Sequence, residues 1–543
     1  MRFMPKVTPL PDINIEIPPK TNIAWEACDR RVGEGKGDHI FLYYQDRQFT
    51  YRQIQSRQNQ IGNALKNLGV APGDHVLCRA ANSPQFFSSL LATLKIGAVA
   101  VPSQTLFRER ELAHIINNSD AVVAFADVEL VGTIEAVKSN CPTLKHIIVF
   151  GEAQGDQIAF DNFVKGASDK LECHDTSADD EAVILYTSGT TGLPKGVVRA
   201  HRDTYACGIP QSRFSALVPE DIFMHPQELT FGYTIANLYA VIYTGARMVL
   251  YPGRTTPENV LEHVQRYRVT KLAGVPALFR MILAIKDCEK QYDLSSLKYL
   301  VSAGEPLPPD VYHELKDRLG VECFDHLGQT ECPPVCGQRP SFPVKPGSMG
   351  KPFAQLPVAI IDDNAQLCPS DRIGHLVIKD GCPTLFLGYR KMPEKWAEVH
   401  KYTGWYDTGD LAYIDAEGYF FHCGRADDMI KSRGYLVSPR EVEETIAEMS
   451  DVFEVAVVGI PDAVAGKRVK AFVLLKPGVT PNQSVAEQIR EHVNSRIAPY
   501  KVPKDIEFVT ELPRNPMGKI LRRELRRLEE ERFKKDEPAG FRF

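Results

Sequence analysis

The stretch from Tyr186 to Gly196 concentrates side chains that suit phosphate binding. It carries four aliphatic hydroxyl groups, three glycines and one lysine, at Thr187, Ser188, Gly189, Thr190, Thr191, Gly192, Lys195 and Gly196. Glycine lets a backbone turn sharply, and successive free N–H groups in such a turn form an anion-binding concavity. A Walker A loop is excluded, because its lysine opens a helix, whereas Lys195 leads through Gly196 into a predicted strand. The stretch predicts a loop that holds a polyphosphate rather than an ordinary surface turn.

The strands on either side must position this loop. The apolar runs Ala182–Leu185 and Val197–Val198 predict those strands. Elsewhere strand and helix alternate, first in a helix with Thr50 as its N-cap and then at His75–Cys78, Pro84–Lys95, Ala98–Val101, Val122–Phe125, His146–Phe150, Arg247–Leu250 and Lys298–Val301. This alternation predicts an α/β fold, with a large N-terminal body of doubly wound sheets and helices.

The pattern changes near Asp427. Beyond it the sequence predicts a small α+β lobe, whose helices and strands are expected at Val437–Met449, Val455–Val458, Ala471–Leu475 and Val485–Ile497. The charged tail predicts a final amphipathic helix with an apolar stripe of Leu521, Leu525 and Leu528. We therefore expect a large N-terminal domain over residues 1–426 and a small C-terminal domain over residues 427–543.

Composition narrows the class of protein. The 543 residues are 43% hydrophobic and 24% charged, which is typical of a folded globular chain and excludes general disorder. A formal net charge of −5 argues against a nucleic-acid partner, because such partners favour a basic surface. The two most apolar stretches, Phe86–Pro102 and Thr234–Pro252, are interrupted by Lys95 and Arg247, so no membrane span is predicted.

Cysteine usage and the N-terminus predict a cytoplasmic protein. The 12 cysteines include no CxxC pair, and the nearest two, Cys332 and Cys336, lack a second pair in metal-like register. We interpret the cysteines as reduced cytosolic thiols. No apolar segment follows Met1–Pro5, so no signal peptide is predicted. The sequence leaves the oligomeric state open, a homo-oligomer included.

Two further segments place suitable side chains after predicted strands, where ligands of open α/β sheets sit. The small residues of Val301–Pro306 allow a flat ring to lie against the backbone. In Phe324–Glu331, Thr330 is suited to bond a phosphate oxygen, and Glu331 is a hard oxygen ligand suited to Mg²⁺.

A third segment carries a carboxylate and is followed by an arginine. In Trp405–Leu411 the aspartate Asp410 is expected to follow a turn, where its carboxylate can accept both hydroxyls of a ribose. Arg425 comes 15 residues later and suits the ribose or a phosphate.

In this order and at this spacing, the segments resemble the AMP-forming superfamily of acyl-CoA synthetases, luciferases and peptide-synthetase adenylation domains. The resemblance spans about Tyr51 to Lys519, nearly the whole chain. It implies ATP and coenzyme A as substrates, Mg²⁺ held by Glu331, and catalytic roles for Lys519, Thr187, Thr330 and Glu331. It implies an ATP/AMP site formed by Ser188, Gly189, Thr190, Thr191, Lys195, Ser302, Ala303, Gly304, Glu305, Pro306, Asp325, His326, Leu327, Gln329, Thr330, Asp410, Arg425 and Lys519.

The same resemblance implies sites in the small domain. The segment that lines the pantetheine tunnel of coenzyme A is matched by Ser432, Arg433, Gly434 and Tyr435. Asp427 falls on the hinge position of the family, which implies a mobile C-terminal domain. Lys519, on a loop bounded by proline and glycine, matches the catalytic lysine.

The expected acyl pocket is mostly apolar and of moderate size, which suits a compact acid. Its candidate residues are Phe231, Gly232, Tyr233, Asn237, Ala303, Leu327 and Cys332. Many superfamily members have an aromatic residue at the position of Leu327. An aliphatic residue there, together with Phe231–Tyr233 and Leu106–Leu112, resembles benzoate- and aminobenzoate-type ligases. No catalytic base is needed from His201 or His225, because a carboxylate is already a nucleophile.

We therefore expect an acid–thiol ligase that converts a benzoate-like or alicyclic acid, such as cyclohexene carboxylate, through an acyl-adenylate to an acyl-CoA, with release of AMP and pyrophosphate. One alternative is a ligase for medium-chain, branched or hydroxy acids. Others are a stand-alone adenylation enzyme that loads a carrier protein, a luciferase, and an inactive sensor of acyl nucleotides. The presence of Lys519, Glu331, Asp410 and Arg425 disfavours the inactive sensor.

Overall fold

The computed structural model describes residues 13–187, 193–253, 255–432, 435–462, 466–514 and 520–534. Its strands are β1 (Ile40–Tyr44), β2 (Arg47–Thr50), β3 (His75–Arg79), β4 (Val99–Pro102), β5 (Val123–Asp127), β6 (His146–Phe150), β7 (Ile158–Ala159), β8 (Glu181–Thr187), β9 (Lys195–Ala200), β10 (Ile222–Met224), β11 (Arg247–Val249), β12 (Lys271–Gly274), β13 (Tyr299–Ser302), β14 (Glu322–Leu327), β15 (Cys336–Gly337), β16 (Val358–Ile361), β17 (Gly374–Lys379), β18 (Gly388–Tyr389), β19 (Trp405–Ile414), β20 (Phe420–Arg425), β21 (Ile430–Ser432), β22 (Tyr435–Val437), β23 (Val452–Asp462), β24 (Gly466–Leu475) and β25 (Asp505–Phe508). Its α-helices are α1 (Arg30–Gly33), α2 (Tyr51–Asn67), α3 (Pro84–Lys95), α4 (Glu109–Ser119), α5 (Val131–Lys138), α6 (Phe160–Phe163), α7 (His201–Phe214), α8 (Gly232–Thr244), α9 (Pro257–Tyr267), α10 (Pro276–Ala284), α11 (Cys288–Gln291), α12 (Pro309–Leu319), α13 (Pro393–Val399), α14 (Pro439–Ala447), α15 (Gln483–Arg496) and α16 (Arg522–Lys534).

Two eight-stranded sheets form the large N-terminal body within the described residues. One has the order β7-β6-β5-β3-β4-β8-β9-β18, and the other has the order β2-β1-β11-β10-β12-β13-β14-β15. Most neighbouring strands are parallel, whereas the edges β8-β9-β18, β1-β2 and β14-β15 are antiparallel. The predicted doubly wound α/β fold is confirmed, and the antiparallel edges make its sheets mixed.

The strand before the phosphate loop is buried on both faces. Val183 and Leu185 belong to one hydrophobic cluster, and Ile184 and Tyr186 belong to another. Successive side chains of a strand point to opposite faces, so β8 packs on both sides and requires a continuous apolar run. β8, which leads into the predicted loop, is therefore a fixed element of the core.

Local sequence signals explain where the helices begin. At the start of α2, Thr50 Oγ1 accepts from Gln53 N at 3.2 Å, and Gln53 Oε1 accepts from Thr50 N at 2.9 Å. At the start of α3, Ser83 Oγ accepts from Phe86 N at 3.1 Å. Helix α8 is buried from Thr234 to Ile242, so it is a core helix and not an amphipathic surface helix.

The small C-terminal lobe has the predicted α+β composition. Its sheet has the order β22-β21-β24-β23 with β25 beside β24, and α14 and α15 contribute to the same hydrophobic cluster. The predicted apolar stripe of the last helix is wrong at Leu528, which is 41% exposed, whereas Leu525 and Glu529 are buried. Lys470 is fully buried in the sheet and pairs with two carboxylates, Glu507 at 2.6 Å and Glu529 at 2.9 Å, and with Glu529 turned inward Leu528 faces solvent.

The chain divides into two compact units. One comprises the described parts of Met1–Leu307, Val311–Val358 and Ile378–Tyr406, and the other comprises those of Pro308–Asp310, Ala359–Val377 and Asp407–Phe543. The boundary at Asp427 stays a prediction. None of the helices described is long and apolar enough to cross a membrane.

Candidate active site

The predicted phosphate loop connects two strands that pair with each other. β8 ends at Thr187 and β9 begins at Lys195, and these two residues are opposite each other in the antiparallel register. His114 Nε2 lies 3.0 Å from the carbonyl oxygen of Pro194 and anchors the entry to β9. The loop residues Ser188, Gly189, Thr190 and Thr191 lie outside the described residues, so their phosphate contacts stay a prediction.

Tyr389 joins the loop lysine to the predicted metal ligand. Lys195 Nζ lies 5.0 Å from the centre of the Tyr389 ring, within the range of a cation–π interaction. The Tyr389 hydroxyl donates to Glu331 Oε1 at 2.8 Å. Lys195 and Glu331, which are distant in sequence, therefore meet at one ring. Sequence reasoning missed Tyr389, because it lies on a two-residue strand whose pairing with β9 exists only in the folded chain.

A buried arginine holds the segment that carries Thr330. Arg199 Nη1 donates to the carbonyl oxygen of Thr330 at 3.0 Å, and Arg199 Nε donates to Asp203 Oδ1 at 2.5 Å. Both side chains of the ion pair are buried. Arg199 therefore acts as a positioning residue for Thr330. The sequence contains no signal for this role, because an arginine and an aspartate four residues apart are common on protein surfaces.

The two predicted adenine segments end neighbouring parallel strands. β13 and β14 place Ser302 opposite Asp325, and both residues are buried. Within the described residues, Ser302 Oγ has no hydrogen-bond partner. Gly304 takes a φ of +89°, a conformation that favours glycine, and Asp325 Oδ2 accepts from Leu307 N at 2.9 Å. Asp325 thus closes the turn that is expected to hold adenine.

The other predicted residues of these segments lie close by in the chain. His326 and Leu327 end β14, and the loops that follow β13 and β14 contain Ala303, Glu305, Pro306 and Gln329. Tyr406 donates its hydroxyl to Gln329 Oε1 at 3.1 Å.

The first turn of α8 lies directly against Thr330. A Cβ atom on Gly232 would stand 2.8 Å from Thr330 Oγ1 and 3.3 Å from Thr330 Cα, so this close approach requires glycine. The next residue, Tyr233, donates its hydroxyl to the carbonyl oxygen of Val301 at 3.2 Å. Phe231 is the buried N-cap residue of the helix. Predicted acyl-pocket residues therefore bridge the two predicted nucleotide segments.

Two predicted pocket residues have polar neighbours. Gln211 Nε2 donates to Asn237 Oδ1 at 2.8 Å, and Asn237 Nδ2 lies 3.1 Å from His225 Nδ1. Burial lowers the pKa of His225 to about 3, so its ring is neutral at neutral pH. Cys332 Sγ lies 3.2 Å from Thr384 Oγ1. Asn237, a polar member of the wall expected to be mostly apolar, therefore pairs with Gln211, which comes from another helix and has no marker in the sequence.

In the second compact unit, the predicted ribose residues lie on adjacent strands. Asp410 of β19 is opposite Arg425 of β20, and Arg425 Nη1 lies 3.5 Å from Asp410 Oδ1. His422 Nε2, which sequence reasoning missed, lies 3.2 Å from the same oxygen. The expectation that Asp410 follows a turn is wrong, because β19 is continuous from Trp405 to Ile414. Gly409 takes a φ of +74° inside this strand, which explains why the pattern resembles a turn.

The remaining predicted residues of the small domain are partly described. Asp427 is exposed in the turn between β20 and β21, and Ser432 ends β21 opposite Tyr435. Arg433, Gly434 and Lys519 lie outside the described residues. Arg514 and Ile520, on either side of the predicted lysine segment, pair as an isolated antiparallel bridge. The roles of all these residues stay predictions.

Known proteins match this chain over nearly its whole length. The AMP-binding enzyme family matches residues 29–390, and the AMP-binding enzyme C-terminal domain family matches residues 441–519. The chain is 34% identical to the acetyl-coenzyme A synthetase of Bacillus subtilis (strain 168), over 93% of this chain and 90% of that protein. It is also 34% identical to the benzoate–CoA ligase of Thauera aromatica, over 94% of this chain and 97% of that protein.

A solved structure agrees with these matches. The anthranilate CoA ligase AuaEII, in complex with anthranoyl-AMP, has a TM-score of 0.89 to this chain at 34% identity, over 95% of this chain and 99% of that one. Both family domains are present, and full-length CoA ligases match in sequence and in structure. The chain therefore belongs to the AMP-binding enzyme family and is an AMP-forming carboxylate–CoA ligase.

Proposed function

We propose that this ligase activates a compact carboxylic acid, either benzoate-like or alicyclic, such as cyclohexene carboxylate. The observation that carries the proposal is the fixed position of Tyr233. Its hydroxyl is bonded to Val301, and its ring packs edge-on against His225 and His326, with 4.5 Å and 5.2 Å between ring centres. A ring fixed on three sides forms a rigid wall, which limits the pocket to short, compact acyl groups.

The relatives are compatible with several acids. The Thauera relative is a benzoate–CoA ligase and AuaEII is an anthranilate CoA ligase, but the Bacillus relative of equal identity is an acetyl-coenzyme A synthetase. Overall sequence identity therefore does not indicate which acid is the substrate. The residues of the acyl pocket must indicate it instead. The aliphatic Leu327 and the rigid Tyr233 favour the benzoate-like class. Medium-chain, branched or hydroxy acids are the second candidates.

In the first half-reaction, a carboxylate oxygen of the acid attacks the α-phosphorus of ATP, and the bond from that phosphorus to pyrophosphate breaks. The protein aligns the reactants and stabilises the charge that spreads over the phosphate oxygens. We assign Thr187, Lys195 and Thr330 to the phosphate oxygens, and Lys519 to the carboxylate and the α-phosphate. Each such contact contributes about 3 kcal/mol to transition-state stabilisation.

The surroundings of Glu331 fit a magnesium ion. Tyr389 orients its carboxylate from one side, and Lys195 of the phosphate loop lies against the same tyrosine ring. Mg²⁺ keeps most of its waters and takes one or two protein carboxylates together with phosphate oxygens, so one glutamate near this loop satisfies its needs. When bound, the ion supplies positive charge that stabilises the phosphate oxygens during transfer.

In the second half-reaction, the thiol of coenzyme A displaces AMP from the acyl carbon. We propose that Ser432, Arg433, Gly434 and Tyr435 line the path of the pantetheine chain. We also propose that rotation about Asp427 presents this segment and Lys519 to the substrate in turn. The exposed turn at Asp427 supports a hinge, because few packing contacts oppose a change of backbone angles there.

The proposed acid class is tested by AMP release from ATP and Mg²⁺, with and without coenzyme A. The acids are acetate, hexanoate, palmitate, benzoate and cyclohexene carboxylate. We expect CoA-dependent AMP release to be greatest with benzoate or cyclohexene carboxylate. Greater turnover of acetate or palmitate would refute the pocket argument. Pyrophosphate exchange without CoA-dependent AMP release would indicate a carrier protein as the acceptor.

The proposed roles in the small domain are tested by separating the half-reactions. Lys519→Ala is expected to abolish adenylation and to retain thioester formation from supplied acyl-adenylate. Equal loss of both steps contradicts this division. Asp427→Pro is expected to impair one half-reaction, because it traps one orientation, and wild-type rates in both would show that Asp427 is not the hinge.

A further inference from the structure

A fully buried polar cluster lies beside Tyr233, one of the predicted residues of the acyl pocket. We define it as Gln211, His225, Asn237 and His326, each at most 4% exposed. The cluster is connected by hydrogen bonds. Gln211 Nε2 contacts Asn237 Oδ1 at 2.8 Å and His326 Nε2 at 3.3 Å, and Asn237 Nδ2 contacts His225 Nδ1 at 3.1 Å. The four side chains come from α7, α8, β14 and the loop after β10, so only the folded chain assembles them.

The cluster leaves one nitrogen of each imidazole without a partner. Burial lowers the pKa of both His225 and His326 to about 3, so each ring is neutral and carries a single proton. Asn237 donates to His225 Nδ1, and Gln211 shares its two N–H groups among Asn237 Oδ1, His326 Nε2 and Ser215 Oγ, an arrangement that places the protons on His225 Nε2 and His326 Nδ1. Both of these nitrogens are buried, and within the described residues neither has a hydrogen-bond partner.

The two unpartnered nitrogens, His225 Nε2 and His326 Nδ1, are either both donors or both acceptors. If the side-chain amides of Gln211 and Asn237 are flipped, so that nitrogen and oxygen exchange places, every hydrogen bond in the cluster reverses and both nitrogens become acceptors. The side chain of Gln227 hydrogen-bonds weakly to His225 and so opposes the lowering of its pKa, whereas Gln227 Oε1 is buried without a partner at full hydrogen-bond distance among the described residues. Buried polar groups in proteins are nearly always paired, so several unpaired atoms in one place indicate a polar ligand group.

The cluster adjoins the residues that are expected to hold the acyl group. Tyr233 packs against both His225 and His326 and follows Gly232, which approaches Thr330. His326 immediately precedes Leu327, another candidate of the pocket wall. The carboxyl group of the acid is expected near Thr330, so we expect the cluster, which lies against the Tyr233 ring, to face the other end of a compact acid.

We propose that the polar cluster makes the enzyme selective for compact acids that carry a hydroxyl or amino substituent, which bonds to His225 and His326. This inference rests on the proposed function, because it concerns the same acyl pocket. A hydroxyl group can bond to these nitrogens whether they are donors or acceptors, since it both donates and accepts. A site built around such a bond turns over the unsubstituted acid less efficiently, because its own buried groups are then left unpaired.

The test compares kcat/KM for AMP release between benzoate and its 2-, 3- and 4-hydroxy and amino derivatives, with the full-length enzyme, ATP, Mg²⁺ and coenzyme A. We expect at least one substituted acid to exceed benzoate by about ten-fold or more. His225→Phe and Gln211→Met are expected to reduce this preference mainly through KM, because the bond is present in both ground and transition state. Urea unfolding reports that each variant is folded.

His201→Phe is the matched control, because His201 is a buried histidine outside the cluster with a pKa also lowered by burial. It is expected to leave the ratio of substituted to unsubstituted acid unchanged. If His225→Phe does not fold, the test relies on Gln211→Met, because methionine is close to glutamine in shape. Equal turnover of benzoate and all derivatives, or an unchanged ratio in the cluster variants, overturns the inference and leaves the proposed function standing. Failure with every aromatic and alicyclic acid, with turnover of acetate or palmitate, refutes the proposed function itself.

Discussion

Replacement of Gly232 by alanine tests whether the first turn of α8 positions Thr330. The added Cβ atom would lie 2.8 Å from Thr330 Oγ1 and 3.3 Å from Thr330 Cα, whereas ordinary van der Waals contact begins at 3.4 Å. One of the neighbours is backbone, so a side-chain rotation of Thr330 cannot relieve the whole clash. Either α8 or the Thr330 segment must move, and Arg199 resists movement of the latter through its bond to the Thr330 carbonyl oxygen.

The expected effect is larger on activity than on stability. Overpacking of this kind costs about 1–3 kcal/mol, and alanine recovers only a fraction of its helix preference of about 1 kcal/mol over glycine, because Gly232 is the first residue of α8 and not an interior one. A displacement of reacting groups by a fraction of an ångström, in contrast, lowers rates by up to about 100-fold. We therefore expect Gly232→Ala to lower kcat/KM for adenylation by about 10- to 100-fold and to lower the free energy of unfolding by no more than about 2 kcal/mol.

The assay is pyrophosphate exchange with the preferred acid, combined with urea unfolding. Gly132→Ala is the matched control, because Gly132 lies in α5 and an added Cβ would meet no atom within 4 Å. This control is expected to keep wild-type activity and to gain about 1 kcal/mol of stability. If Gly232→Ala retains kcat/KM within about two-fold of wild type, the close approach to Thr330 does not position the reactants, and the reasoning fails.

Two further predictions concern Tyr389 and His201. Tyr389→Phe keeps the ring beside Lys195 but removes the hydroxyl that bonds Glu331, so we expect kcat/KM for ATP to fall by about 10-fold or more, and unchanged kinetics of a folded variant would refute this role. His201 begins α7, its Nδ1 accepts from Ile23 N at 3.3 Å, and burial lowers its pKa from 6.5 to about 4. Because the unfolded chain binds the proton more readily, stability falls as pH is lowered from 6.5 to about 4, by up to about 3 kcal/mol. His201→Gln is expected to weaken this pH dependence in urea unfolding measured across that range, and parallel profiles of variant and wild type would contradict it.

Local patterns in the sequence predict the elements of this protein well. The strand before the phosphate loop is visible as an apolar run because β8 is buried on both faces. The helix over Pro84–Lys95 is predicted with its observed bounds, since proline and a capping serine mark its start. The wrong prediction at Leu528 has a nonlocal cause, because Glu529 of α16 pairs with the buried Lys470, which lies on β24, far from this helix in the chain.

The sequence by itself determined the family and the α/β class, and it predicted the phosphate loop and the candidate site residues, because each of these corresponds to contiguous segments with a local pattern. Only the tertiary structure decided that Tyr389 links Lys195 to Glu331, that Arg199 holds Thr330, and that four polar side chains meet beside Tyr233. These contacts join strands and helices far apart in the chain. Such pairings depend on sheet order and on which helix packs beside which, and neither is encoded in the spacing of neighbouring residues.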